Sequence, residues 1–116
     1  MSNFISLEKA IEMTSLYRQQ METILASQFK GLDILAKSEI FSRDQVEKLL
    51  SKPECGQLRV YYGMSQDLKI HALLVGVDQN GNDILGSDKL SSASQEVLED
   101  ALRCPPHCPP SSPLNS

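Results

Sequence analysis

Leu58–Leu85 reads LRVYYGMSQDLKIHALLVGVDQNGNDIL, and the fold turns on how this stretch pairs with itself. Leu58–Tyr62 and Leu68–Val77 are rich in β-branched, aromatic and aliphatic residues, and the five residues Gly63–Asp67 between them have the length of a hairpin loop. Such a loop sets Tyr62 opposite Leu68, Val60 opposite Ile70 and Leu58 opposite Ala72. Side chains alternate along a strand, so these six share one face, which we expect the first helix to cover. The other face then pairs Tyr61 with Lys69 and Arg59 with His71. Asn80-Gly81 predicts a type I′ turn, which needs positive φ at both central residues. It sets Val77 opposite Ile84 and gathers Leu73, Val75, Val77 and Ile84 into an apolar patch on the outer face. Water does not readily tolerate such a patch, so the second helix, a second copy of the chain, or both should cover it. Gly76, inside the strand, predicts a bulge or the close approach of another backbone.

Upstream, Ser6 is a good N-cap, and Glu8 and Glu12 sit where the helix dipole favours anions. Leu7, Ala10, Ile11, Thr14, Tyr17, Met21, Ile24 and Leu25 recur at spacings of three and four, which predicts an amphipathic helix ending near Gly31. Met13, Tyr17 and Met21 read as helix core. Leu32–Phe41 lacks a clean period and predicts an irregular connection pinned to the core at two points. Ser42 and Gln45 then form a capping box, Phe41 and Val46 a hydrophobic staple, and Pro53 stops a second helix at Ser51 or Lys52.

Downstream of Leu85 the chain turns polar. Val97, Leu98, Ala101 and Leu102, with Ser92 and Gln95 as a capping box, predict a short third helix. The end, RCPPHCPPSSPLNS, holds five of the six prolines and predicts an extended, flexible tail. The expected fold class is therefore α+β: two N-terminal helices packed on a three-stranded antiparallel β-meander, then a short C-terminal helix and a flexible tail. Residues 1–90 would form the compact domain and residues 91–116 the helix and tail.

At 116 residues and a net charge of −4 with interleaved signs, the chain has neither the basic footprint of a nucleic-acid binder nor an apolar run that spans a membrane. The N-terminus lacks the features of a secretory leader, so we expect a cytoplasmic protein whose three cysteines are mostly reduced.

Three groups of residues carry possible chemistry. Asp78, Asn80 and Asn82 occupy the first ligand positions of a calcium loop, but Asp83 replaces its glycine and Lys89 its final acid, so a plain turn is the reading we adopt. Cys104, His107 and Cys108 offer three zinc ligands, with Cys55 or His71 as a conceivable fourth. The same tail could hold a Cys104–Cys108 disulfide, serve as a thiol segment met by a partner, or carry unpaired thiols. Arg59, Tyr61, Lys69 and His71 would cluster on the outer sheet face, able to hold an anion or stack a base, or simply to face solvent. No phosphate-binding glycine loop, HExxH or GxSxG is present.

LRVYYGMSQDLKIHALLVGVDQNGNDIL together with the terminal RCPPHCPPSSPLN resembles a family of small uncharacterised bacterial proteins with a YYG…LVGV…NG core and a CPPxCPPSSPLN-like end. The resemblance implies bacterial origin and a compact body with an appended tail, and it brings no activity with it. On these grounds we expect a non-enzymatic binding or adaptor protein without a cofactor. It would dimerise through Leu73, Val75, Val77 and Ile84, and a protein partner would recognise its tail. The alternative is a zinc-binding or thiol-redox protein using Cys104, His107 and Cys108. A third reading is a small enzyme assembled by the fold around Tyr61 and His71.

Overall fold

Ser6 does cap the first helix. In a computed structural model that describes residues 3–85, 97–99 and 102–115, its hydroxyl accepts from the Lys9 N–H at 3.0 Å. Helix α1 runs over Leu7–Gln20. Past Gln20 the helical pattern survives only as isolated turns, with Ile24 N–H bonded to Gln20 O, and Ala26 turns extended before a 3₁₀ turn at Ser27–Phe29. Gly31 takes φ +78°, so the chain reverses where a left-handed residue was expected, but a full turn and more beyond the end of the helix. Strand β1 (Ser38–Ile40) follows, then α2 (Arg43–Leu50), whose ends lie where the sequence sets them. The Ser42 side chain makes no capping bond, so the capping box is not formed.

Strands β2 (Gln57–Met64) and β3 (Ile70–Val77) form the antiparallel hairpin at the centre of the molecule. Their register differs from expectation by four residues: Tyr62 faces Ala72, Val60 faces Leu74 and Leu58 faces Gly76. The cause is the turn. β2 continues through Gly63 and Met64, and the reversal is the tighter Ser65–Lys69, closed by Leu68 N–H to Ser65 O and Ser65 N–H to Lys69 O. That turn places Leu68 at φ +68°, a conformation leucine adopts only at a cost. A slip of four is even, so the division of residues between the two faces survives although every cross-strand partner changes.

The second reversal has the same form. Gly81 N–H bonds Asp78 O, Asp78 N–H bonds Asn82 O, and Gly81 alone has positive φ, at +85°. This is a three-residue turn closed by a left-handed glycine, not the type I′ turn of Asn80-Gly81. It sets Val77 opposite Asp83 instead of Ile84, which moves Ile84 to the opposite face, beside Gly76.

A three-stranded antiparallel sheet does form, in the order β2-β3-β4, but its third strand is β4 (Val97–Leu98), paired with Leu74 and Val75. The segment after Gly81 contributes only the single bridge at Asp83. Leu102–Cys104 is strand β5, paired with β1 in a separate two-stranded ribbon. The described residues of the expected third helix are thus strands; Ser92, Gln95 and Ala101 lie outside the described residues. Both β4 and β5 pair back across residue 90 onto the body.

Cys104 is buried, and the tail beyond it is held by Arg18 Nη1 donating to Leu114 O at 2.7 Å and by an Asn115–Ser112–Pro110 network, where a free tail was expected. Helix α1 has no buried residue and does not cover the sheet. Its Tyr17 hydroxyl instead donates to Ala36 O at 2.6 Å, and burial pushes that phenol's pKa up while Arg103 opposes the shift. Leu49 of α2 and Leu74, Val75 and Val77 of β3 are buried, and so are Ile34, Met21 and Ile84 outside those two elements. Gly76 shows why a glycine is there: a Cβ would lie 3.3 Å from Leu49 O and 3.0 Å from Cys55 Sγ. The strand is unbulged at this point, and the close approach of another backbone is the reason.

Candidate functional site

Backbone polar groups of successive strand residues point to opposite sides, so the partners of β3 reveal which way each residue faces. Ile70 N–H donates to Ile34 O at 2.8 Å, Ala72 N–H to Glu39 Oε2 at 2.8 Å, and Ile84 N–H to Gly76 O at 2.9 Å. Leu74 stands in register with Leu98 of β4. The even-numbered residues of β3 thus turn away from β2, and each finds a partner there. Arg103 completes this side. Buried to 7% exposure, it donates from Nε to Ile70 O at 3.0 Å and from Nη2 to Ile34 O at 2.6 Å, pinning the β1–β5 ribbon to the sheet.

The opposite edge has nothing comparable. Leu58, Val60, Tyr62 and Met64 lie across from Gly76, Leu74, Ala72 and Ile70, so their N–H and C=O groups point outward from β2, where no strand among the described residues pairs with them. Their side chains are open as well, at 43%, 43%, 79% and 60% exposure. Natural sheets usually blunt such an edge with lysine, proline or a bulge. β2 is eight residues long, regular in register, and has neither lysine nor proline.

On the other face, Arg59 and Tyr61 converge on Asp83: the guanidinium donates to one carboxylate oxygen and the phenol to the other. Arg59 Nη2 also donates to Gly81 O at 3.0 Å, tying β2 to the second turn. Asp78 caps that turn by accepting from the Asn80 and Asn82 N–H groups, and these bonds, Asn82's foremost, hold its carboxyl below the usual range. Both acids of the half calcium motif are thereby committed to the hairpin.

Of the expected group of Arg59, Tyr61, Lys69 and His71, only Arg59 and Tyr61 share a partner, Asp83. Arg59 faces Val75 and Tyr61 faces Leu73. The Lys69 ammonium lies 3.9 Å from Asp67, within the first turn. His71 faces Gly63, with Nδ1 3.8 Å from Glu39 Oε1, beside a cavity of about 210 Å³ lined by Met64, Ser65, Leu73 and Glu99. Tyr61 does not line that cavity, and the Ser65 hydroxyl is already bonded to Asp67 and the Lys69 backbone. Of the expected interface residues, Val75, Val77 and Ile84 are buried within a single chain and Leu73 is half-buried. The outer patch therefore needs no second copy to cover it.

No protein-family model, curated protein or solved structure matches this chain.

In the tail, Cys104 and Cys108 form a disulfide, with Cys104 buried and Cys108 exposed, and His107 exposed between them. Joined in this way, neither sulfur presents a thiolate to a metal, and the described residues contain no group of three or more His, Cys, Asp or Glu arranged around a common centre. Of the two residues considered for a fourth ligand, Cys55 packs against Gly76 and donates to Gln57 O, and His71 lies beside Glu39. The disulfide walls a groove of about 500 Å³ between α1 and the tail, lined by Tyr17, Arg18, Lys37, Pro109 and Leu114 among others. No helix of the described residues is long and apolar enough to cross a membrane.

Sequence reasoning missed Glu39, Asp83 and Arg103, the polar residues that organise the site, and it took the even face of β2 for core. A signal for Asp83 was present: it is the one residue of the turn that can meet both Arg59 and Tyr61 on their face once the turn has three residues. For Arg103 there was none, because it sits in a stretch that reads as helix and tail.

Proposed function

We propose that this chain is a small non-enzymatic binding protein that self-associates through its sheet and uses its tail-lined groove to engage a protein partner. One observation carries the reading: among the described residues, nothing pairs with the outward backbone groups of β2, whose apolar side chains are exposed, while the remaining edge of the same hairpin is closed by Ile34, Glu39, Arg103, β4 and Ile84. An open, apolar, unblunted edge is a liability unless something pairs with it. Sedimentation equilibrium of the full chain over a wide concentration range tests this reading. Self-association to twice the chain mass is expected, and a monomer at every concentration would overturn the reading.

The disulfide favours a second reading, a thiol-redox role for the tail. A reducing cytoplasm would hold Cys104 and Cys108 mostly as thiols, and an oxidising compartment would keep them joined. An incoming thiolate would attack the exposed Cys108 Sγ, breaking the bond and releasing Cys104 as its thiolate; a second thiol would then complete the two-electron reduction. Reduced, Cys104, His107 and Cys108 become available to zinc. Thiol titration with elemental analysis separates the outcomes: one titratable thiol before reductant and three after supports the disulfide, while stoichiometric zinc supports the metal site.

A further inference from the structure

We propose that the partner of β2 is the β2 strand of a second copy of this chain, paired antiparallel about a two-fold axis through Tyr61. The inference rests on the self-association reading above and specifies its surface. Strand addition needs a row of outward N–H and C=O groups, which Leu58, Val60, Tyr62 and Met64 supply at every second residue. Placing the axis at Tyr61 is the register in which each of these four meets another of them: Leu58 opposite Met64 of the second copy, and Val60 opposite Tyr62. Those become the doubly hydrogen-bonded pairs, and Tyr61 meets its own copy at a pair without backbone bonds. Val60 against Tyr62 is a β-branched–aromatic pair of the kind that favours strand association.

Charge also points to a second copy. Arg59 is the only charged residue of β2, and Asp83 and the Gly81 carbonyl already hold its guanidinium. In this register Arg59 stands opposite Gly63, so no like charges meet across the axis. The edge offers no free charge for a charged peptide to pair with, whereas in this register a second copy sets Val60 against Tyr62 as matching apolar side chains. The resulting sheet of six strands would carry the exposed apolar side chains of both copies as one continuous face.

The test uses the full chain and two variants in sedimentation equilibrium. Tyr62 is 79% exposed, so Tyr62→Lys leaves the monomer fold intact, which circular dichroism checks, while placing a lysine on the edge opposite Val60 of the partner. We expect dimerisation at least tenfold weaker than wild type. If wild type dimerises and Tyr62→Lys dimerises equally well, the edge is not the interface and this inference falls, while self-association stands. If wild type is monomeric throughout, both fall. Register is read separately with Tyr61→Cys in a Cys55→Ser background. A disulfide-linked dimer under mild oxidation supports the two-fold at Tyr61, and an uncrosslinked but intact dimer overturns it.

Discussion

The two strands of the central hairpin have similar apolar sequences and different fates. β3 has its far side closed at every outward residue, by Ile34 and Arg103 at Ile70, Glu39 at Ala72, β4 at Leu74 and Ile84 at Gly76. Among the described residues, none closes the far side of β2. Nothing in the β propensity of the two strands separates them. What separates them is which neighbours bring a hydrogen-bonding group, from backbone or side chain, to the strand's bare polar groups. Ile34, Ile84 and β4 do so with backbone toward β3, and Glu39 and Arg103, directly paired across β1 and β5, with side chains. An edge is closed by groups that can satisfy its hydrogen bonds; hydrophobic surface alone leaves it open.

The same charge placed on each strand gives the largest contrast. Val75→Glu buries a carboxylate at a position with 2% exposure, and we expect the chain not to fold, seen as loss of a cooperative thermal transition. Tyr62→Glu, on the open strand, should move the midpoint of the isolated monomer by no more than about 0.5 kcal/mol in denaturant titration. Equal effects would erase the distinction between the strands.

Breaking the closed side at its clamp comes next. Arg103→Ala removes the bonds to Ile70 O and Ile34 O, and should cost about 3 kcal/mol in urea unfolding, since hydrogen bonds from a charged donor are the stronger ones. A loss below about 1 kcal/mol would mean that β1 and β5 are not what closes the edge. Gly76→Ala probes the other end of the same side. Its Cβ would press on Cys55 Sγ and the Leu49 carbonyl, and we expect about 2 kcal/mol of destabilisation from overpacking between α2 and β3.

The smallest effect belongs to the turn that sets the register. Leu68 pays for positive φ, and glycine does not, so Leu68→Gly should stabilise the hairpin by about 0.5 kcal/mol after allowing for the greater freedom of glycine in the unfolded chain. Destabilisation would show that the leucine side chain, although 40% exposed, contributes more by packing than its backbone conformation costs.

Much of this was legible in local sequence. Ser6 announces α1, Pro53 the stop of α2, and Gly76 the close approach of a backbone, because each depends on chemistry within a few residues of itself. The faces of β2 and β3 were readable too, since alternation survives an even slip. The register was not, because Leu68 adopts a conformation its side chain disfavours and Gly63, which looks like a turn residue, sits within the strand. Nor was the C-terminal part. Val97–Leu98 and Leu102–Cys104 are too short for a strand period to show, and only tertiary pairing with Leu74–Val75 and Ser38–Ile40 makes strands of them. The candidate surface was hidden for a related reason: Leu58, Val60, Tyr62 and Met64 carry the alternation of a buried face, and no local feature says that α1 packs elsewhere.

Amide hydrogen exchange of the full chain at high and low concentration tests the central claim most directly. The amides of Ile70 and Ala72 should be protected equally at both, because their partners lie within the chain. Those of Leu58, Val60, Tyr62 and Met64 should be protected only at high concentration and exchange freely on dilution. Protection of β2 that does not change with concentration would mean that its edge is closed within one chain, and a lack of protection at any concentration would mean that no second copy pairs with it.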